Sequence, residues 1–312
     1  MPRGDGEAVE PGPLSVLDPR PSKVDRRGLR PNTTGRRTTL ARWLTDPLNP
    51  LPARVIVNRL WQQHFGTGLA SSASDFGVLG ERPSHPELLD WLATELIRSG
   101  WSLKHVHRLI VTSATYGQAA ARRRADGTAP DTRRLEGYPL RRLDAEQLRD
   151  SLLAVSGELR NLPGGPSVEG SVPRRSVYTR VLRNQRDPLL GSFDSPEQFC
   201  STARRNTTTT PTQALIFMNS PFLEARASAL ADRVEREAGP QTEERIHHLY
   251  RRVLGRPPRE QEVERARGFL ARQLMLIWGQ GAPDRPEESA ERTALTDLCH
   301  ALLNSNEFLY ID

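Results

Sequence analysis

The sequence predicts an all-α protein, a multi-helix orthogonal bundle with at most one short β-hairpin. Apolar residues recur at intervals of three and four along most segments after residue 39, which is the spacing of one helix face. Hydroxyl or acidic residues stand before many of these segments, several with proline in the first helical turn, as helix N-caps do. Alternation typical of a strand is confined to Arg175–Leu182, for which Pro166–Val168 is the best candidate partner.

In chain order, residues 1–38 carry many prolines, glycines and arginines without apolar periodicity, so we expect an extended lead-in or linker. Leu40–Asp46 has the pattern of a short amphipathic helix. Pro52–Phe65 predicts a longer helix that ends at Gly66, since glycine adopts the left-handed C-cap conformation without steric cost.

Later helix starts are marked by capping residues. Ser84 with Glu87 has the form of a capping box, as does Asp144 with Gln147, and Ser102 stands before another apolar repeat. Serine or threonine followed by proline marks three more starts, at residues 195, 210 and 220. The last third predicts helices over 242–254, 259–278 and 288–304, whereas 118–138 and 279–287 are typical of exposed loops.

The length of 312 residues suffices for one large domain or two ordinary ones. We expect 39–312 to form a single helical domain, with 39–160 and 190–312 as candidate subdomains. The longest apolar run, Leu274–Trp278, is far shorter than a membrane-spanning helix, so the sequence excludes a membrane span of that kind.

The charge balance leaves two interpretations open. Lysine and arginine number 44 against 38 acidic residues, which gives a net charge of +6 and a pI near 9.9. Lys23 and Lys104 are the only lysines, so arginine supplies nearly all the positive charge. Such an excess indicates either contacts with a polyanion or the codon bias of a GC-rich genome, and a basic pI points to binding only where the charge gathers on one face.

The cysteines and histidines predict no metal site and no cofactor in this chain. Cys200 and Cys299 are too few for a four-cysteine site, and no CxxC or CxxCH occurs. His105 with His107, and the adjacent pair 247–248, lack the spacing that places two ligands on one helix face. Whether the two cysteines form a disulfide stays open, because sequence does not fix their separation.

Several polar residues are candidates for a site. Asn58 shares a helix face with aromatic residues, so it either holds a ligand or bonds the backbone of an adjacent loop. His64 lies in the last turn of the same predicted helix, where it either offsets the helix dipole or acts in catalysis. Arg59 beside them, and Asn219 at the end of a later predicted helix, are further polar candidates.

An acid and a base candidate lie further along. His85 stands at a helix start, whose positive end favours the neutral imidazole that a general base needs, although it could equally be part of the cap. Asp75 begins the sequence Asp-Phe-Gly, but a protein kinase is excluded because the glycine-rich loop, the strand lysine and the catalytic loop are missing.

Two arginine pairs form the most informative pattern. Arg141 and Arg142 precede the predicted cap Asp144, and Arg204 and Arg205 precede four threonines at another helix start. Guanidinium forks, hydroxyls and free helix N–H groups bind sulfate, phosphate or carboxylate. An anion site is therefore predicted, with the alternative that these arginines pair with acidic side chains and join helices. The anion-binding candidates are Arg141, Arg142, Arg204, Arg205, Thr207 and Thr210, and the acidic partners of the alternative are Asp144, Asp194 and Glu197.

Long ordered motifs resemble those of the planctomycete-type family called domain of unknown function 1553. They are LARWLTDPLNPLPARVIVNRLWQQHFG, DFGVLGERPSHPELLDWLATELIRSGWSLKHVHRLIVTSATY, RRLDAEQLRDSLLAVSG, GGPSV, RRSVY, TPTQALIFMNSPF and LCHALLNSNEFLYID. The resemblance implies the C-terminal domain of large exported or periplasmic proteins, whose upstream parts include a cytochrome-c-like module and a companion domain. The N-terminal segment resembles the join to that companion and lacks the apolar core of a secretory signal.

Three functional hypotheses follow. The first is an envelope-associated interaction or anionic-ligand-binding module, linked to polysaccharide utilisation, with anionic glycans, the companion domain or other envelope proteins as partners. The second is a glycan hydrolase or lyase in which His85 or His64 works with Arg141, Asp75 or Asp144. The third, nucleic-acid binding, follows from the pI alone and is the least supported, because aromatic residues are only 6% and the tryptophans are expected in the core. Those tryptophans are Trp61, Trp91 and Trp101.

Overall fold

The structure is a computed structural model that describes residues 12, 14, 16–18, 24, 32–120, 128, 130–182, 184, 185, 187–196, 199, 201–279 and 287–311. Nearly all regular elements of these residues are helices, which confirms the predicted all-α class. The chain divides into two compact units, 1–139 and 140–312. None of the described helices combines the length and the apolar character that a bilayer crossing requires.

The first unit contains four described α-helices. They are α1 (Arg36–Leu44), α2 (Pro50–Phe65), α3 (Pro86–Arg98) and α4 (Leu103–Val111). Helix α2 packs against α3 and α4 around an apolar core that includes Val57, Trp61, Leu92, Leu96 and Val106. The end of α2 is the predicted one, since Gly66 adopts the left-handed conformation that its lack of a side chain permits.

Two predictions for α3 are wrong. The N-cap is His85 and makes no side-chain cap bond, whereas Ser84 is used by the preceding loop: its N–H donates to the carbonyl of Leu69 at 2.8 Å. Trp91 is 48% exposed rather than buried, because it lies away from the face of α3 that Leu89 and Leu96 bury. Trp61 is buried as expected.

The second unit contains eight described α-helices and a two-stranded ladder. The helices are α5 (Ala145–Val155), α6 (Pro188–Ser192), α7 (Pro211–Asn219), α8 (Pro221–Ala238), α9 (Thr242–Leu254), α10 (Glu260–Gly279), α11 (Glu287–Leu303) and α12 (Asn306–Leu309). Helix α8 packs against α5, α9 and α11 around a core that includes Leu152, Leu223, Leu230, Ile246, Leu249 and Leu303. The ladder joins β1 (Arg141–Arg142) to β2 (Tyr310–Ile311) in antiparallel register, with Arg142 opposite Tyr310.

The strand predicted over Arg175–Leu182 is absent from the described residues of that segment. Ser176–Tyr178 forms a 3₁₀ turn, and Val168 meets Thr179 only in an isolated bridge. Side chains of α5 form hydrogen bonds with the backbone groups that would otherwise pair in a sheet. The Asp150 carboxylate, for instance, accepts from the Ser176 N–H at 2.7 Å. The helix expected after the cap Ser195 does not begin at Pro196, which is not helical, and its next two residues, 197 and 198, lie outside the described residues.

Candidate anion-binding strap and adjoining cleft

The two halves of the predicted anion site lie together in the second unit. Residues 201–210, hereafter the strap, form an irregular segment that bends at Ala203 and Arg204, and its residues 201–209 are all exposed. The strap contacts β1 and the start of α5, and these are the elements that carry Arg141, Arg142 and Asp144. The sequence therefore brings the two arginine pairs to one region of the unit.

Arg142 of β1 anchors the strap. Its side chain is buried, and its Nη1 donates to the carbonyl of Thr208 and, at 2.7 Å, to Oε1 of Gln213, while Nη2 donates to Asp194 at 2.9 Å. Asp194 in turn accepts from the N–H and the hydroxyl of Thr208, at 2.8 and 2.7 Å. Burial alone would raise the pKa of Asp194, but the bonds from Thr208 and Arg142 hold it below its ordinary value. The carboxylate therefore stays charged and the anchor stays intact at neutral pH.

Arg205 forms the second anchor. Its guanidinium holds Glu146 with both forks, at 2.5 and 2.9 Å, and lies 3.9 Å from Asp144. Burial opposes ionisation of Glu146, but the bonds from Arg205 leave its pKa below the ordinary value. The same bonds raise the pKa of Arg205. This is the ion-pair alternative of the sequence analysis for Arg205, with Glu146 as a partner that the sequence did not indicate.

The remaining candidates of this region have different roles. Thr210 caps α7, because its hydroxyl accepts from the Gln213 N–H at 3.3 Å in a capping box. Arg204 and Thr207 are exposed on the strap, and Arg141 is half-buried in β1. Asn219 is the exposed last residue of α7, and Glu197 lies outside the described residues.

A polar cleft of about 100 Å³ adjoins the strap within the same unit. Glu146 belongs to both, since it lines the cleft and binds Arg205. The other lining residues come from the segment after α5, from α6 and from the residues around it. They are Gly170, Ser176, Thr179, Arg180, Val181, Gln185, Asp187, Leu190, Gly191, Ser195 and Pro196.

One wall of the cleft is held by Arg149, which the sequence did not indicate. This side chain of α5 is 2% exposed and donates to the carbonyls of Gly170, Val172 and Arg174 at 2.7 to 2.9 Å. Burial lowers its pKa, but a guanidinium remains charged throughout the accessible pH range. Arg149 lies in the motif RRLDAEQLRDSLLAVSG and the wall in GGPSV and RRSVY, which carried the family resemblance without suggesting a role.

Arg174 is a second buried arginine that binds the backbone of the segment after α5. It is buried, donates to the carbonyls of Leu162 and Gly164 at 2.7 and 2.5 Å, and stacks over the Tyr178 ring at 4.3 Å. Guanidinium groups thus replace sheet hydrogen bonds in satisfying the backbone of this segment.

The candidates of the first unit have other partners. Asn58 is fully buried and exchanges two hydrogen bonds with the backbone of Ala70, at 2.8 and 2.9 Å, so it fixes an adjacent loop. His64 Nε2 lies 2.8 Å from His107 Nδ1. Arg59 is exposed on α2.

The acid and base groups of the hydrolase or lyase hypothesis are divided between the units. Asp75 and His85 lie in the first unit, where Asp75 accepts from the Gly77 N–H at 2.8 Å and His85 Nδ1 lies 3.1 Å from the Ser84 hydroxyl. Arg141 and Asp144 lie in the second unit. His64 belongs to the first.

No group of three or more metal-ligating side chains occurs among the residues that the structure describes. Cys299 is buried in the second unit, and burial raises the pKa of its thiol. Cys200, the other cysteine of the disulfide that the sequence left open, lies outside the described residues.

Fold and site together define an all-α protein with an arginine-anchored, hydroxyl-rich strap beside a polar cleft. The family model described as protein of unknown function (DUF1553), PSD1, matches residues 36–270. The chain belongs to this family, as its motifs predicted. No curated protein and no solved structure shows significant similarity to it.

Proposed function

We propose that this chain is a binding module for an anionic polysaccharide, working in an envelope-associated assembly, with the strap as its contact surface. The observation that carries the proposal is the strap itself, an exposed irregular segment with Arg204 and Arg205 among six hydroxyl residues. An extended polyanion such as a sulfated or carboxylated glycan offers matching charges and hydrogen-bond acceptors along its length.

The anchoring of the strap supports this function. Because Arg142 and Arg205 fix it from β1 and α5, a ligand would not have to order it, and the entropic cost of binding is correspondingly small. Arg142 and Arg205 form ion pairs with Asp194 and Glu146, so their charges are already compensated. Arg204, exposed at the surface, is therefore the strap residue we assign to the ligand, together with the exposed Thr207 hydroxyl of the same segment.

The test measures binding to immobilised heparin as a sulfated glycan, with polygalacturonate, dextran, inorganic phosphate and duplex DNA as competitors. We expect Arg204→Ala to elute at lower salt and to weaken binding about two- to fivefold, the size of one exposed charge contact. Arg251→Ala is the matched control, because Arg251 is an exposed arginine of α9 in the same unit.

Any of three results would contradict the proposal. Equal elution of the Arg204 and Arg251 variants would show that the net charge binds without the strap. DNA competing better than either acidic glycan would favour nucleic-acid binding, and a cooperative melting transition that no compound shifts would favour a module whose partner is another protein.

A further inference from the structure

The cleft beside the strap differs from it in charge. Each charged group of its lining already faces an opposite charge: Glu146 binds Arg205, Arg180 binds Glu169 at 2.8 Å, and the Asp187 carboxylate interacts electrostatically with a buried guanidinium, that of Arg149. A charged ligand would find little uncompensated charge there, so the cleft does not repeat the anion chemistry of the strap.

What the cleft offers is hydrogen bonding around a small volume. Carboxylate oxygens keep lone pairs beyond those used by an ion pair, and the Gln185 amide and the Ser195 hydroxyl add both donors and acceptors. Val181, Leu190 and Pro196 contribute apolar surface to the same lining. About 100 Å³ is well below the roughly 300–1,000 Å³ of a pocket that encloses a drug-sized ligand, so the cleft admits one edge of a small ring while the rest of the ring stays outside.

The shape of the cleft depends on a close backbone approach. A Cβ at Gly170 would lie 2.7 Å from Oδ2 of Asp187, so any larger residue there would displace this carboxylate at the start of α6. Asp187 is fixed on the other side, because its Oδ1 accepts from the Leu190 N–H at 3.0 Å as the N-cap of α6. The cleft is therefore a preformed feature, held by Arg149 through the Gly170 carbonyl.

We infer that this cleft binds one edge of a neutral, ring-shaped polyol such as a single sugar unit. Hydroxyl groups at the ring edge would bond Glu146, Gln185 and Ser195, while the C–H face would lie on the apolar part of the lining. This binding is independent of the proposed strap function, since it needs neither Arg204 nor a charged ligand.

The test is saturation-transfer NMR on the full chain with D-glucose, D-galactose, D-xylose and myo-inositol, and with glucuronic acid and glucosamine as charged counterparts. We expect at least one neutral ring to bind, with an affinity that does not change between low and high salt. Gln185→Ala should weaken it about three- to tenfold, the loss of one or two hydrogen bonds. Gly191→Trp, which places a large ring at the cleft, should abolish it.

Gln261→Ala is the matched control, because Gln261 is an exposed glutamine of α10 in the same unit. Circular dichroism establishes that each variant is folded. If Gly191→Trp does not fold, Gln185→Ala still tests the inference. Failure of every neutral ring to bind, binding that survives both cleft variants, or salt-sensitive preference for a charged counterpart would each overturn the inference. Heparin binding by the same variants reports on the strap separately.

Discussion

Replacing Arg149 by methionine removes the guanidinium around which the segment after α5 is folded. Its side chain is 2% exposed, and four acceptors depend on it: three backbone carbonyls and, at 3.2 Å, the Ser176 hydroxyl. Methionine fills most of the volume of the side chain but donates no hydrogen bond. The carbonyls would then stay buried without partners, or the segment would have to leave α5 to reach water.

The expected loss follows from those four bonds. A hydrogen bond from a charged donor contributes about 1.5–3 kcal/mol, and removing the buried charge itself recovers part of the total. We therefore expect the free energy of unfolding of the second unit to fall by about 3–5 kcal/mol. For a unit of this size that lowers the melting temperature by about 6–20 °C. Arg149→Lys should lie between, because one ammonium cannot reach all four acceptors.

Thermal melting by circular dichroism measures the loss, and hydrogen exchange locates it. The amides of Val168 and Arg180, which donate to the Tyr178 and Val168 carbonyls at 2.9 and 2.8 Å, should lose protection in Arg149→Met before the core of α8 does. The matched control is Arg251→Met, at an exposed position. If the two variants melt together and these amides stay protected, the guanidinium does not hold the segment and the account of the cleft wall fails.

Two further predictions concern other parts of the molecule. Asn58→Ala removes both hydrogen bonds to the Ala70 backbone at a fully buried site, so we expect the first unit to lose about 2–4 kcal/mol of stability. Urea unfolding followed by hydrogen exchange measures the loss, and Arg59→Ala, at an exposed position, should leave stability unchanged. Equal urea midpoints for the two variants would contradict this prediction. The hydrogen bonds from Arg256 lower the pKa of Glu262 from 4.5 to about 2. A depressed carboxyl pKa adds stability that is complete above pH 4.5 and is lost as the pH falls toward 2, so Glu262→Gln should flatten the melting temperature across that range, and an unchanged slope would refute the assignment.

Local signals made most of the helices predictable. Ser102, Thr210 and Ser220 cap helices where the sequence placed them, because a cap involves only the three residues that follow it. Ser84 failed for a non-local reason, since the carbonyl of Leu69 competes for it. The short α6 was missed although Asp187 before a proline marks its start, because five residues show no apolar repeat.

The site was predictable in its composition but not in its pairing. The four arginines and their threonines were recognisable, and so was Asp194 as an acidic partner. The choice of Glu146 by Arg205 depends on how the strap crosses α5, a contact between residues 59 positions apart. The apolar alternation over Arg175–Leu182 predicted a strand, but no strand forms there. Arg149 donates hydrogen bonds to the carbonyls of the preceding segment, and the sequence does not reveal this contact.

These pairings change what the basic composition means. Arg142, Arg149 and Arg174 are buried, and each donates to backbone carbonyls, so their charges serve the fold and are not available to a ligand. A net charge of +6 therefore says little about affinity for a polyanion. Arginine suits the internal role because its five donors, fixed in one plane, reach several carbonyls at once where lysine reaches few. The proposed anion binding then depends on the exposed charge of the strap, so Arg204→Ala should weaken binding without the loss of stability expected from replacing a buried arginine.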